Sequence, residues 1–107
     1  VFERWVNEMD PPTRLVVDPP VSVLVDLTQA MRNPDDAFRC DRVSMRVKCE
    51  GISTKDSGTQ GHLRAWMQTT AGGWWGLVAF ELRTGNGLGR VSIEQWCPAR
   101  SLRREPS

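Results

Sequence analysis

The sequence is short of the residues on which most catalytic and metal sites are built: its 107 positions hold one histidine, three cysteines and no tyrosine. A zinc site would have to combine His62 with Cys40, Cys49 and Cys97. The nearest two of these cysteines are nine residues apart, whereas zinc ligands usually arrive in close C-x2-4-C pairs. Cys97, with His62 as base and Glu94 or Glu81 as the acid, supplies the ingredients of nucleophilic catalysis, but no nucleophile elbow marks them. The G-x-G within GNGLG lacks the third glycine and the lysine of a phosphate cradle. No enzyme, metal or cofactor is therefore expected. An odd number of thiols without C-x-x-C spacing speaks against a disulfide framework and for reduced cysteines. No apolar run approaches the ~20 residues of a membrane-spanning helix. The opening VFERWVNEMD lacks the charged-then-apolar layout of a signal peptide. These absences predict a soluble, cytoplasmic protein with no membrane partner.

Lysine is scarce too. Of fourteen basic residues twelve are arginine, whose planar fork makes the bidentate and stacking contacts that lysine does not. Net charge is only +1, yet residues 1–36 carry three bases against seven acids (−4) and residues 37–107 eleven against six (+5). Such segregation attracts an anionic partner, or lets two halves or two copies meet. It is also what a solvated surface shows by chance.

The hydrophobic pattern is mainly that of strands. Phe2, Trp5, Val6 and Met9 fall at i, i+3, i+4 and i+7, which predicts a short amphipathic helix stopped by Asp10, Pro11 and Pro12. Residues 14–27 read as two extended pieces broken at Pro19 and Pro20, with Val21, Val23, Val25 and Leu27 on one face. Asp26 resembles a helix cap, with room for a turn or two before Asn33 and Pro34. The strictest alternation is RVSMRVKC, in which Val43, Met45, Val47 and Cys49 oppose Arg42, Ser44, Arg46 and Lys48; it predicts a half-buried strand with a basic outer stripe. After a glycine-bounded polar loop, HLRAWMQTT alternates Leu63, Ala65 and Met67 against His62, Arg64, Trp66 and Gln68. GGWWGLVAF follows a tight turn at Gly72 and Gly73, and its parity puts Trp74 inward with Val78, Phe80 and Leu82, leaving Trp75 outward with Leu77 and Ala79. The Asn-Gly pair of TGNGLG makes the next hairpin. RVSIEQW returns with Val91 and Ile93 inward and Arg90 outward, and Pro98 ends that strand.

These elements predict a mainly β domain at 14–104, a small barrel or strongly bent antiparallel sheet with one or two short helices. A helical arm precedes it at 1–13 and a frayed tail follows at 105–107. The run from GGWWGLVAF through the glycine-rich hairpin to QWCPARSL resembles SH3-like small barrels. In these a Trp-containing strand is followed by a hairpin and a Pro-containing turn before the last strand. The W-x-P-A-x-x-L-R ending is similar to the close of the SH3-like DNA-binding domain of retroviral-type integrases. With no tyrosine and no acidic loop, the chain departs from the proline-binding SH3 pattern.

The function expected is that of a small non-catalytic binding module, nucleic-acid-associated or regulatory. Arg42, Arg46, Lys48, Arg64 and Arg90 would meet phosphates, and Trp66 and Trp75 would stack on bases. The alternative is a protein-interaction adaptor or assembly subunit that uses the same Trp and Arg surface. In that case Phe2, Trp5, Val6 and Met9 of the arm cover either the Trp75 face of their own domain or a second copy, as a homo-oligomer.

Overall fold

The computed structural model describes residues 1–6, 11–33 and 43–105. Met9, Cys40 and Arg42 lie outside these residues. Strand β1 (Arg14–Val25) leads into the one-turn helix α1 (Leu27–Ala30), and helix α2 is Met45–Glu50. Strands β2 (Thr59–Gln68), β3 (Trp74–Arg83) and β4 (Arg90–Pro98) form a meander. A 3-10 turn at Ala99–Ser101 then delivers β5 (Leu102–Arg104). The sheet is antiparallel, ordered β4-β3-β2-β1-β5, and curls into a half-barrel. The protein is mainly β, as the pattern predicts.

Local chemistry sets the joints. Gly72 and Gly87 occupy positive φ at the two hairpin turns, where a Cβ would be strained. Asp26 caps α1, its carboxylate accepting from the Thr28 amide at 3.0 Å. Pro19 and Pro20 donate no ladder hydrogen bonds, and the β1–β2 register shifts between Val16 and Val21 to bypass them. The expected two pieces are thus one bent strand.

The concave face of the sheet holds the core: Val23 and Val25 of β1, Leu27 of α1, Leu63 of β2, Val78, Phe80 and Leu82 of β3, and Cys97 of β4. Each such side chain contributes about 1.5–3 kcal/mol when fully buried. Gly61 and Gly76 lie beneath it. A Cβ on Gly76 would come within 2.8 Å of Leu63 and Leu102 methyls and 3.3 Å of the Trp66 ring.

Three sequence expectations are corrected. Residues 45–50 are not a strand but helix α2, started by Ser44, whose hydroxyl accepts from the Val47 amide at 3.4 Å. The stretch MRVKCE is rich in helix formers, and its alternation has nothing to bury: no residue of α2 is buried, and Met45 is 72% exposed. Residues 1–6 do not form the start of a helix; they make a single turn closed by the Trp5 amide on the Phe2 carbonyl at 3.0 Å.

The third correction is in β2. A bulge there sets Leu63 opposite Val78 but Ala65 opposite Leu77, so one residue, Arg64, is unmatched and the parity of everything after it inverts. Trp66, expected on the polar face, therefore stands opposite Gly76 and packs against the core.

Candidate binding surface

The expected basic and aromatic site is dispersed. Arg46 and Lys48 are exposed on α2, whose C-terminal end is fastened to the 84–89 turn by Asn86 and Gly85 amides donating to the Cys49 and Gly51 carbonyls at 2.8 and 2.9 Å. Arg64 pairs with Glu94 at 2.6 Å and Arg90 approaches Glu81 at 3.5 Å. Each of these arginines thus has a glutamate partner. Trp66 is half-buried against the core, and Trp75 is half-buried on the opposite, convex face. Arg42 falls outside the described residues, so the structure brings together no continuous cationic stripe from the others.

The convex face is covered partly by the arm. Phe2 meets Trp5 edge-on with ring centroids 5.3 Å apart and lies 6.1 Å from the ring of Trp96. Trp96 pairs across the ladder with Leu77, beside Trp75. Arg14 stitches the arm down, its guanidinium 5.9 Å over the Phe2 ring and its Nε donating to the Trp5 carbonyl at 3.2 Å. Of the expected interface residues, Phe2 and Trp5 therefore dock on their own domain, Val6 is 78% exposed, and Met9 is outside the described residues.

The parity of the Trp74–Trp75 pair holds, but its consequence reverses. Trp74 points to the concave side, yet β4 ends opposite Trp75, at Pro98, and leaves Trp74 without a β4 neighbour. It is 37% exposed. With Leu15, Trp66 and Ala99 it lines an apolar groove of about 280 Å³ at the open end of the half-barrel. Leu15 is 54% exposed there, and Arg100, next to Ala99 in sequence, is exposed as well. Sequence parity missed this groove because alternation reports direction, not whether a neighbouring strand is long enough to cover what points that way. The signal that could have found it is the offset between the start of β3, set by Gly72 and Gly73, and the end of β4, set by Pro98.

A second hollow, more polar and about 570 Å³, lies between the start of β2 and the 84–89 turn, among Asp56, Glu81, Arg83 and Thr84. Its best-placed acceptor is already used: Asp56 accepts from the Gly58 amide at 2.9 Å and the Thr59 hydroxyl at 3.0 Å.

The candidate catalytic groups are separated by the sheet itself. Cys97 pairs with Gly76 on the concave face, whereas His62 and Glu94 flank Ala79 on the convex one. Burial pushes the Cys97 thiol up, offset in part by the Gln95 side chain donating to its sulfur at 3.9 Å. That disfavours the thiolate a nucleophile requires. Among the described residues no three His, Cys, Asp or Glu side chains gather to hold a metal ion, and no helix is long and apolar enough to cross a membrane.

Comparison with protein families, with curated proteins and with solved structures found no match for this chain. What the fold defines is a class, a small curled antiparallel sheet compatible with a small β-barrel.

Proposed function

We propose that the chain is a non-catalytic binding module that holds a protein segment by an apolar side chain seated between Leu15, Trp66, Trp74 and Ala99. The observation that carries this reading is the exposed indole of Trp74 beside the exposed Leu15 over a groove without charged lining. A large aromatic surface left open in a pocket is what interface anchors fill. The exposed Arg100 that follows Ala99 suits a segment with an acidic residue beside its apolar anchor. We further propose that the half-barrel is of the SH3-like kind. This is supported by the order of a Trp-bearing strand, a hairpin, the Pro98 turn and a short last strand that returns to pair with β1. A cytoplasmic setting fits the unpaired Cys49 and Cys97.

A nucleic-acid ligand is the second reading, favoured by Arg46 and Lys48, which form no ion pair among the described residues, and by Trp74 as a stacking platform. One experiment separates the two. The protein is titrated with a mixed-sequence oligonucleotide at low and high salt, and is used in parallel to select from a display library of linear peptides. Intrinsic tryptophan fluorescence reports binding of the enriched peptides and of the oligonucleotide. The protein-segment reading expects enriched peptides with a shared apolar anchor whose affinity falls at least about tenfold in Trp74→Ala. Oligonucleotide binding that weakens steeply with salt and is lost in Arg46→Ala/Lys48→Ala, with no peptide enriched, would overturn it.

A further inference from the structure

The sheet is not closed, and its two edges differ. One is the three-residue β5. The other is β4, which among the described residues pairs with β3 alone. The upper part of β4 is occupied: the Gln95 side chain reaches the Ala30 carbonyl at 3.5 Å and Phe2 lies over Trp96. Residues 90–94, Arg-Val-Ser-Ile-Glu, remain open among the described residues, with Arg90, Val91, Ser92 and Glu94 exposed and Ile93 partly buried against the core. These five residues contain no proline, no lysine and no bulge in their ladder with β3, and their two charges, Arg90 and Glu94, are of opposite sign, so they protect the edge only against partners that fail to match them.

The segment is also complementary to itself. Set antiparallel to a second copy about a two-fold axis at Ser92, it places Arg90 opposite Glu94, Val91 opposite Ile93 and Ser92 opposite Ser92. An antiparallel register moved by two residues in either direction loses both Arg–Glu pairs. Parallel in-register pairing puts arginine on arginine and glutamate on glutamate. We propose that this edge is where a second copy of the chain docks, continuing the sheet from β4 to β4 with Ser92 on the axis.

Charge decides the register and the backbone supplies the attraction. In each copy Arg90 already approaches Glu81 and Glu94 already holds Arg64, at 3.5 and 2.6 Å. Pairing would link these into an alternating row on the convex face: Arg64, Glu94, then Arg90 and Glu81 of the other copy, and the same in reverse. Opposite charges across strands contribute modestly and like charges oppose pairing. The newly paired main-chain groups account for most of the affinity. On the other face Val91, 43% exposed in one chain, gains Ile93 of the second copy as cover. The groove at Trp74 lies at the opposite end of the β3–β4 hairpin, so this inference does not rest on the proposed ligand.

The test uses the intact protein in sedimentation velocity over a wide concentration range, where the mass should rise from 12.1 kDa toward twice that value. Arg90→Glu alone and Glu94→Arg alone should each remain monomeric, because each sets like charges face to face. An equimolar mixture of the two should dimerise, and so should the double variant Arg90→Glu/Glu94→Arg, in which both pairs are restored with their signs exchanged. Ser92→Cys fixes the register. With oxidised glutathione as acceptor of two electrons and two protons, the two introduced thiols should close a disulfide on the axis, which peptide mapping identifies. Thermal unfolding checks that each variant is folded. A wild type that stays monomeric throughout, or an Arg90→Glu variant that associates as the wild type does, overturns the proposal.

Discussion

The two faces of β3 are made from the same ten residues and are stabilised in different ways. On the concave side Val78, Phe80 and Leu82 are at most 5% exposed and meet side chains from β1, β2, β4 and α1. On the convex side Leu77 and Ala65 are buried, but Trp75 and Ala79 are only half-covered, and the contacts seen there come from Trp96 and from Phe2 and Trp5 of the arm, fastened by Arg14. The concave layer is closed by covalently continuous strands in register. The convex layer depends on a segment that can leave without disturbing a ladder. One face carries the fold, and the other carries whatever the fold can do without.

The largest test of this difference is Phe80→Ala. Removing an almost fully buried ring from the centre of the concave layer should cost about 3–5 kcal/mol, as large-to-small aromatic substitutions in cores do. A domain this small has little stability to lose. Chemical denaturation followed by circular dichroism should find the variant largely unfolded at room temperature. A loss below about 1 kcal/mol would show that the concave cluster is not the stabilising layer.

Much of that layer was readable in the sequence. Val23, Val25 and Leu27, and likewise Val78, Phe80 and Leu82, alternate as a half-buried strand must, and the Asn-Gly turn and Pro98 bound the β3–β4 hairpin where they were expected. What alternation could not show is whether a face has a neighbour. RVSMRVKC alternates more strictly than β2 does, yet from Met45 it is a helix, because period two over so few residues is a weak constraint when Ser44 can cap a turn and none of the helix is buried. A single unmatched residue, Arg64, then inverted the reading of Trp66 by turning it onto Gly76. The expected binding residues are dispersed for the same reason: parity assigns Arg64, Trp66 and Arg90 a direction, while their partners Glu94, Gly76 and Glu81 lie across the ladder and are set by register.

A smaller effect should come from the convex face. Phe2→Ala removes the ring that touches both Trp5 and Trp96, but Phe2 is only partly buried, so the cost should be about 1 kcal/mol. The same variant should change tryptophan fluorescence at once, since two of the five indoles lose a ring contact. Phe2→Leu should recover most of the stability. A loss as large as that of Phe80→Ala would mean that the arm is part of the core rather than a cover, and would remove the distinction between the faces.

The smallest effect near neutral pH, and the one that grows with alkalinity, concerns the two described cysteines. Cys97 is fully buried in the concave layer, and its removal from water raises the thiol above its ordinary range; Cys49, on α2, is half-exposed. A thiol-specific reagent should therefore label Cys49 in the folded protein and reach Cys97 only on unfolding. The sign of the linked pH effect follows from the same burial. The folded state holds the Cys97 proton more tightly than the unfolded chain does, so this contribution is complete below the unfolded thiol value of about 8.5. It declines as pH rises above that value and through the higher folded one, because the unfolded chain ionises first. Wild type should lose more stability between about pH 7 and pH 10 than Cys97→Ala, a comparison in which the ionisation of every other group cancels to first order. Equal losses in the two proteins, or labelling of Cys97 as fast as Cys49, would show that the concave face admits water at β4 and that the half-barrel is open along its core as well as at its end.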